Sequence, residues 1–148
     1  MAEKRHTVHM NVTIEIITKD NAFLLNAVAE DVFDDVINPD YLARYLKEGN
    51  HALCVAVSDG VVIGQVRAIV HRHPDNLPEL YIDNAGVTPA FQNRGVAKAL
   101  VAEIVSLGKS LGCEDVWVGT EPDNEAAKAL YRSVGLEMTD MVMFDGEI

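Results

Sequence analysis

The chain has 148 residues, 49% of them hydrophobic, and sets 12 Lys and Arg against 23 Asp and Glu for a formal charge of -11. That length suits one packed domain, 1–148 with a flexible N-terminus over 1–10, and the absence of any ~18-residue apolar run or secretory leader leads us to expect a soluble cytoplasmic protein. The acidic balance argues against nucleic acid and anionic membranes as partners and favours a cationic one, although the same charge also serves solubility.

In chain order, Val12, Ile14 and Ile16 alternate with Thr13 and Glu15, the period of a half-buried strand. Asp20 opens a predicted helix through Phe23, Leu24, Ala27 and Val28, and a second follows Pro39 with Leu42, Tyr45 and Leu46, stopping at Gly49. From Ala52 to His71 two strands flank Ser58-Asp59-Gly60, a turn able to take positive φ, and form a hairpin. After the polar loop His73-Pro74-Asp75-Asn76, a strand runs from Leu80 to Val87 and ends at Thr88-Pro89.

The longest helix comes next, with Val96, Ala97, Leu100, Val101, Ile104 and Val105 on one stripe, ending near Gly112. Val116, Trp117 and Val118 form a short buried strand. Glu121-Pro122-Asp123-Asn124 then turns the chain into a helix, capped by Asn124 and ending at Gly135. Met141 to Phe144 reads as a closing strand, giving the order βααβββαβαβ and a mixed α/β sheet. Cys54 and Cys113 lie far apart in apolar surroundings and read as small buried hydrophobes. His71 and His73 share one face of a strand end, but no third ligand is evident, so no metal is expected.

The turn Gln92-Asn93-Arg94-Gly95-Val96-Ala97 joins a strand to the longest helix, the arrangement of a phosphate site. Amides at a helix start lack intrahelical partners and are assisted by the helix dipole. Gly95 lets a phosphate approach the backbone, Ala97 keeps the turn close, and Arg94 and Lys98 add positive charge. By spacing alone the same segment also suits an ordinary loop before a core helix. Neither the P-loop nor the dinucleotide glycine pattern is present.

The run from Val87 to Leu100, with Gln92-Asn93-Arg94-Gly95-Val96-Ala97 at its centre, resembles motif A of the GNAT superfamily of acetyltransferases, Q/R-x-x-G-x-G/A after a hydrophobic strand. Downstream, Asn124 to Leu136 is similar to motif B, N-x-x-A-x-x-L-Y-x-x-x-G-F, with only the final Phe replaced, by Leu136. The resemblance implies a mostly antiparallel sheet flanked by helices and splayed at a β-bulge beside Asn84-Ala85-Gly86, where Gly86 suits the bulge. It implies acetyl-coenzyme A as cosubstrate, with pantetheine against the backbone at Ala85 and Val87 and pyrophosphate on the amides from Asn93 to Lys98. Asn124 is commonly a cofactor contact in this motif, a role that competes with capping.

Acetyl transfer needs a neutral amine, so a base or water relay must take its proton. Glu79, Tyr81 and Asp83 share one side of their strand, which makes Glu79 and Asp83 the available carboxylates. The resemblance implies the Val87 N–H as oxyanion donor and Tyr131 as general acid for the departing thiolate. A core aromatic with its hydroxyl at the surface is the other reading of Tyr131.

Acidic residues also cluster in Glu30-Asp31-Val32-Phe33-Asp34-Asp35, which suits either a cationic acceptor or an exposed helix end. Val32-Phe33-Asp34-Asp35, Asp40-Tyr41-Leu42, Glu79 to Asp83, Ala126 to Tyr131 and Met143-Phe144-Asp145 together resemble aminoglycoside 3-N-acetyltransferases of the GNAT type. That likeness implies a cationic 2-deoxystreptamine acceptor held by Asp34, Asp35, Asp83, Glu121 and Asp145, and Asn84 departs from it where an acid can stand. A polyamine, amino acid or protein amine is the alternative acceptor, and a non-catalytic acyl-coenzyme A sensor the alternative of another class. The superfamily also implies a homodimer, for which Met138, Met141, Met143 and Phe144 offer an apolar contact.

Overall fold

The computed structural model describes residues 11–148; the expected flexible segment 1–10 lies outside the described residues. Five strands, β1 (Val12–Ile16), β2 (His51–Ser58), β3 (Val61–His71), β4 (Glu79–Val87) and β5 (Asp115–Val118), lie in that order in one sheet. Neighbours are antiparallel except β4 and β5, which run parallel. A parallel pair needs a crossover, and α2 (Val96–Ser110) supplies it. Two shorter helices, α1 (Pro39–Tyr45) and α3 (Glu125–Ser133), and two 3-10 turns make up the rest of the regular structure among the described residues.

The apolar stripe of α2 buries Val96, Leu100, Val101 and Ile104 against Val66, Ala68, Leu80 and Ile82. Burying each Leu or Ile side chain there contributes about 1.5–3 kcal/mol, which the helix could not recover if the stripe were rotated into water. On the opposite face Leu25 and Val32 join Leu53, Val55, Val57 and Val62, with Leu42 and Tyr45 of α1 packed against them. Both faces of β2 are thereby covered. This is why its sequence, HALCVAVS, reads as a continuous apolar run and is buried from Ala52 to Ser58. Asp59 and Gly60, at φ 49° and 77°, form the expected hairpin turn.

Three expectations are corrected. The helix expected from Asp20 to Val28 is one 3-10 turn, Ala22–Asn26. Asn21 spends its side chain on Thr18 N and Ile16 O, and the chain beyond pairs with β3: Ala29 N donates to Val62 O at 2.9 Å and Val62 N to Ala27 O at 2.8 Å. Tertiary backbone pairing outweighs the helical period of that short segment. The closing strand expected from Met141 to Phe144 has no regular structure, and Met141, Met143 and Phe144 are exposed. The third correction concerns the bulge. Arg67 faces Asn84 and Ala68 faces Ile82, so the extra residue on β4 is Asp83, not Gly86.

Candidate active site

Pairing between β4 and β5 ends at Ile82 and Val118, while β4 continues to Val87. The sheet therefore opens beside residues 83–87. Thr88 N donates to Ile63 O of β3 at 2.9 Å. By antiparallel alternation the backbone groups of Gly86 and Thr88 face β3, and those of Ala85 and Val87 face the opening.

The turn that follows is shaped by two left-handed residues, Asn93 at φ 61° and Gly95 at φ 80°. The first hydrogen bond of α2 runs from Ala99 N to Gly95 O at 3.0 Å, so the N–H groups of Val96, Ala97 and Lys98 have no acceptor within the helix. A β-carbon on Gly95 would meet nothing within 4 Å. Glycine is favoured there by its φ of 80°, and the space beside it is open. Arg94 and Lys98 are exposed beside that space, and the Arg94 guanidinium lies 5.4 Å from the centre of the Phe91 ring. Gln92 is used differently from the other turn residues: its Nε2 donates to Val87 O at 2.9 Å, tying the turn to the end of β4.

Tyr131, on α3, is half-buried against the α2 side of the core, and burial raises its phenol above the ordinary value of 10.0. A raised phenol is fully protonated at neutral pH, the form a general acid needs. Asn124 caps the same helix by accepting from Ala127 N at 3.0 Å. The cap occupies its Oδ1 and leaves the amide nitrogen for any further contact.

On the other sheet face Arg67 Nε donates to Asp83 Oδ1 at 2.8 Å, both groups half-buried, with Asp83 the first β4 residue beyond the pairing with β5. Tyr45 of α1 faces this pair: burial pushes its phenol up to about 12, the Asp83 carboxylate adds to the rise and Arg67 opposes it. Beside them Gln65, fully buried, donates from Nε2 to Val32 O at 3.1 Å and to Asn84 Oδ1 at 2.6 Å, and Asn84 Nδ2 reaches Asp34 Oδ2 at 3.5 Å. This chain of contacts brings Asp34 and Asp83 to one region. Asp35, Glu121 and Asp145 are exposed, Glu121 in the loop after β5 and Asp145 in the irregular C-terminal segment. Glu79, at the start of β4, lies about 13 Å along the strand from Asp83 and about 26 Å from Val87; its Oε1 meets His73 Nε2 at 2.9 Å.

Sequence reasoning passed over Arg67, Gln65 and Tyr45 as site residues. The available signal was Gln65 and Arg67 spaced two apart in an otherwise apolar strand, hence on one face.

The acetyltransferase (GNAT) family pattern matches residues 19–136 of the chain. The chain is 30% identical over 116 residues to aminoglycoside N(6')-acetyltransferase type 1 of Salmonella typhimurium, covering 75% of this chain and 73% of that protein. It is 31% identical over 129 residues to the N-alpha-acetyltransferase RimI of Mycobacterium tuberculosis, covering 85% and 78%. Among solved structures, AAC(6')-Iy in complex with the bisubstrate analogue CoA-S-monomethyl-acetylneamine superposes with a TM-score of 0.77 at 26% identity, over 93% of this chain and 98% of that one. These aminoglycoside relatives act at the 6' amine by name, so the 3-N position implied by the sequence likeness is without support.

Proposed function

Because this chain belongs to the acetyltransferase (GNAT) family, its splayed sheet is the GNAT fold and its chemistry is acetyl-coenzyme A-dependent N-acetylation, and we propose that its acceptor is an aminoglycoside modified at the 6' amine. The observation that carries the acceptor is the likeness to the Salmonella N(6') enzyme across three quarters of both chains. An acidic acceptor side containing Asp34 and Asp83 agrees with it.

In this reading the pyrophosphate rests on the amides from Asn93 to Lys98 and pantetheine follows the open edge of Ala85 and Val87. The amine nitrogen attacks the thioester carbon, its proton leaving through water to Asp83, which we assign as base in preference to Glu79 because Glu79 stands far down the strand. The Val87 N–H faces the opening and receives the developing oxyanion. As the C–S bond breaks, Tyr131 gives its proton to the thiolate. Positioning the two substrates supplies more of the acceleration than either proton transfer. The C-terminal methionines and Phe144 then cover a second copy, making a homodimer that works as one-domain protomers in the cytoplasm, where acetyl-coenzyme A is made.

The RimI likeness, which covers more of this chain, favours a second reading in which the acceptor is a protein N-terminal amine. Thiol release with neomycin, which carries a 6' amine, is expected to exceed release with paromomycin, which carries a 6' hydroxyl, and product NMR should place the acetyl on the 6' nitrogen. Equal release from both would move the acetylated nitrogen elsewhere. Release only with an N-terminal peptide would transfer the assignment to the second reading.

A further inference from the structure

His71 closes β3 and is the register partner of Glu79, the first residue of β4. His73 lies two residues beyond His71, so both imidazoles leave the same face, with ring centres 4.5 Å apart. One ligand atom from each of His71, His73 and Glu79 lies within 4.8 Å of the other two, and the closest pair, His73 Nε2 and Glu79 Oε1, is 2.9 Å apart.

We propose that His71, His73 and Glu79 form a binding site for one late first-row divalent cation, with Zn2+ as the fitting ion. Metal–nitrogen and metal–oxygen bonds of about 2.0–2.2 Å in tetrahedral array put neighbouring ligand atoms roughly 3.3 Å apart. The His73–Glu79 spacing of 2.9 Å lies just below that value, and the separations involving His71, at most 4.8 Å, come to it by rotation of the exposed imidazole. His73 and Glu79 are half-buried and already oriented by each other, while His71 is exposed and has the rotamer freedom to close the third side. Two imidazoles and one carboxylate select zinc and its neighbours over magnesium or calcium, which take all-oxygen shells. Three protein ligands leave a position for water, and Asp115, the β5 register partner of Glu79, adds a further negative charge beside the site.

The cation would clamp the β3–β4 connection at the end of the sheet remote from the transfer site. Glu79 precedes Asp83 by four residues, about 13 Å along the strand. The site thus stands independently of the acceptor assignment. The competing arrangement is a plain His73–Glu79 pair in which His71 takes no part.

The test uses full-length, untagged protein in which His6 and His9, outside the described residues, are replaced by alanine in every sample. Zinc uptake is titrated against a chromophoric chelator, and the absorption spectrum of the cobalt-substituted protein is recorded. One zinc per chain is expected, with a tetrahedral cobalt spectrum and a zinc-dependent rise in Tm. His71→Ala, His73→Ala and Glu79→Gln should each weaken uptake by at least the roughly 10–100-fold that loss of an outer-shell partner costs, while melting cooperatively without metal. No stoichiometric uptake by the parent, or uptake unchanged by His71→Ala, overturns the proposal.

Discussion

A β-carbon built on Gly86 would stand 2.5 Å from the carbonyl oxygen of Val32, because the acidic loop carrying Asp31 to Asp34 lies directly on the backbone of β4. Gly86→Ala should therefore lift that loop from the sheet. Overpacking of this kind costs about 1–3 kcal/mol, and for a chain of this size the Tm should fall by about 3–10 °C. The KM for the amine should rise more than the KM for acetyl-coenzyme A. Two-substrate kinetics check this, and an unchanged amine KM would separate the loop from the acceptor site.

Tyr131→Phe removes the phenol proton and leaves the packing of α3 on the core. A general acid contributes about 10²–10⁴ in rate, so kcat should fall within that range while acetyl-coenzyme A binding, measured by calorimetry, stays within about twofold. Burial raises the phenol above 10.0, so the alkaline limb of kcat in the parent should lie above pH 10 and vanish in the variant. A parent profile whose alkaline limb survives the substitution would assign that limb to another group.

Gly95→Ala meets no steric neighbour yet must hold φ 80°, and a non-glycine residue in the left-handed region costs about 1–2 kcal/mol. Arg94→Ala removes a charge from the same turn, where a hydrogen bond to a charged group contributes about 1.5–3 kcal/mol. Both should raise the KM for acetyl-coenzyme A by about tenfold or more with the amine KM little changed. Loss of amine affinity instead would mean that the turn serves the acceptor.

Two buried groups predict how stability depends on alkaline pH. Burial pushes the Cys54 thiol from 9.0 to about 12 and the Tyr45 phenol from 10.0 to about 12. The unfolded chain loses these protons first, so between pH 9 and 12 the native state binds more protons and unfolding is favoured as pH rises. Their contribution is complete below pH 9 and declines by up to about 1.4 kcal/mol per pH unit for each group. Urea midpoints from pH 7 to 11 should show that decline, and Cys54→Ala should flatten its first part.

Met141, Met143 and Phe144, 72%, 79% and 92% exposed, leave more apolar surface than a solvated tail requires. Light scattering at micromolar concentration should give twice the chain mass, and removal of residues after 137 should return the monomer. A monomeric parent would refute the homodimer.

Much of this protein is legible in its residue order. The hairpin at Asp59-Gly60, the stripe of α2 and the cap at Asn124 are local decisions, made by side-chain period and turn chemistry within a few residues. The turn before α2 belongs with them, since its left-handed Gly95 and the unpaired amides after it follow from one helix start. Residues 20–28 and 141–144 depart from their local pattern because short apolar segments suit more than one partner, and the partner is distant in sequence: Val62 for the former and, under the homodimer proposal, a second copy for the latter.

The proposed acceptor side belongs almost wholly to long-range packing. Asp83 meets Arg67 sixteen positions away, Gln65 reaches Val32 across thirty-three, and the bulge falls at Asp83 because of register between two strands. No local pattern encodes those distances. The proposed cofactor contacts, backbone amides at a helix start, are written in contiguous residues. Side-chain pairs across strands exist only after the sheet has closed, and Glu79 turns from a candidate base into a neighbour of His71 and His73 only when register brings the ends of β3 and β4 together.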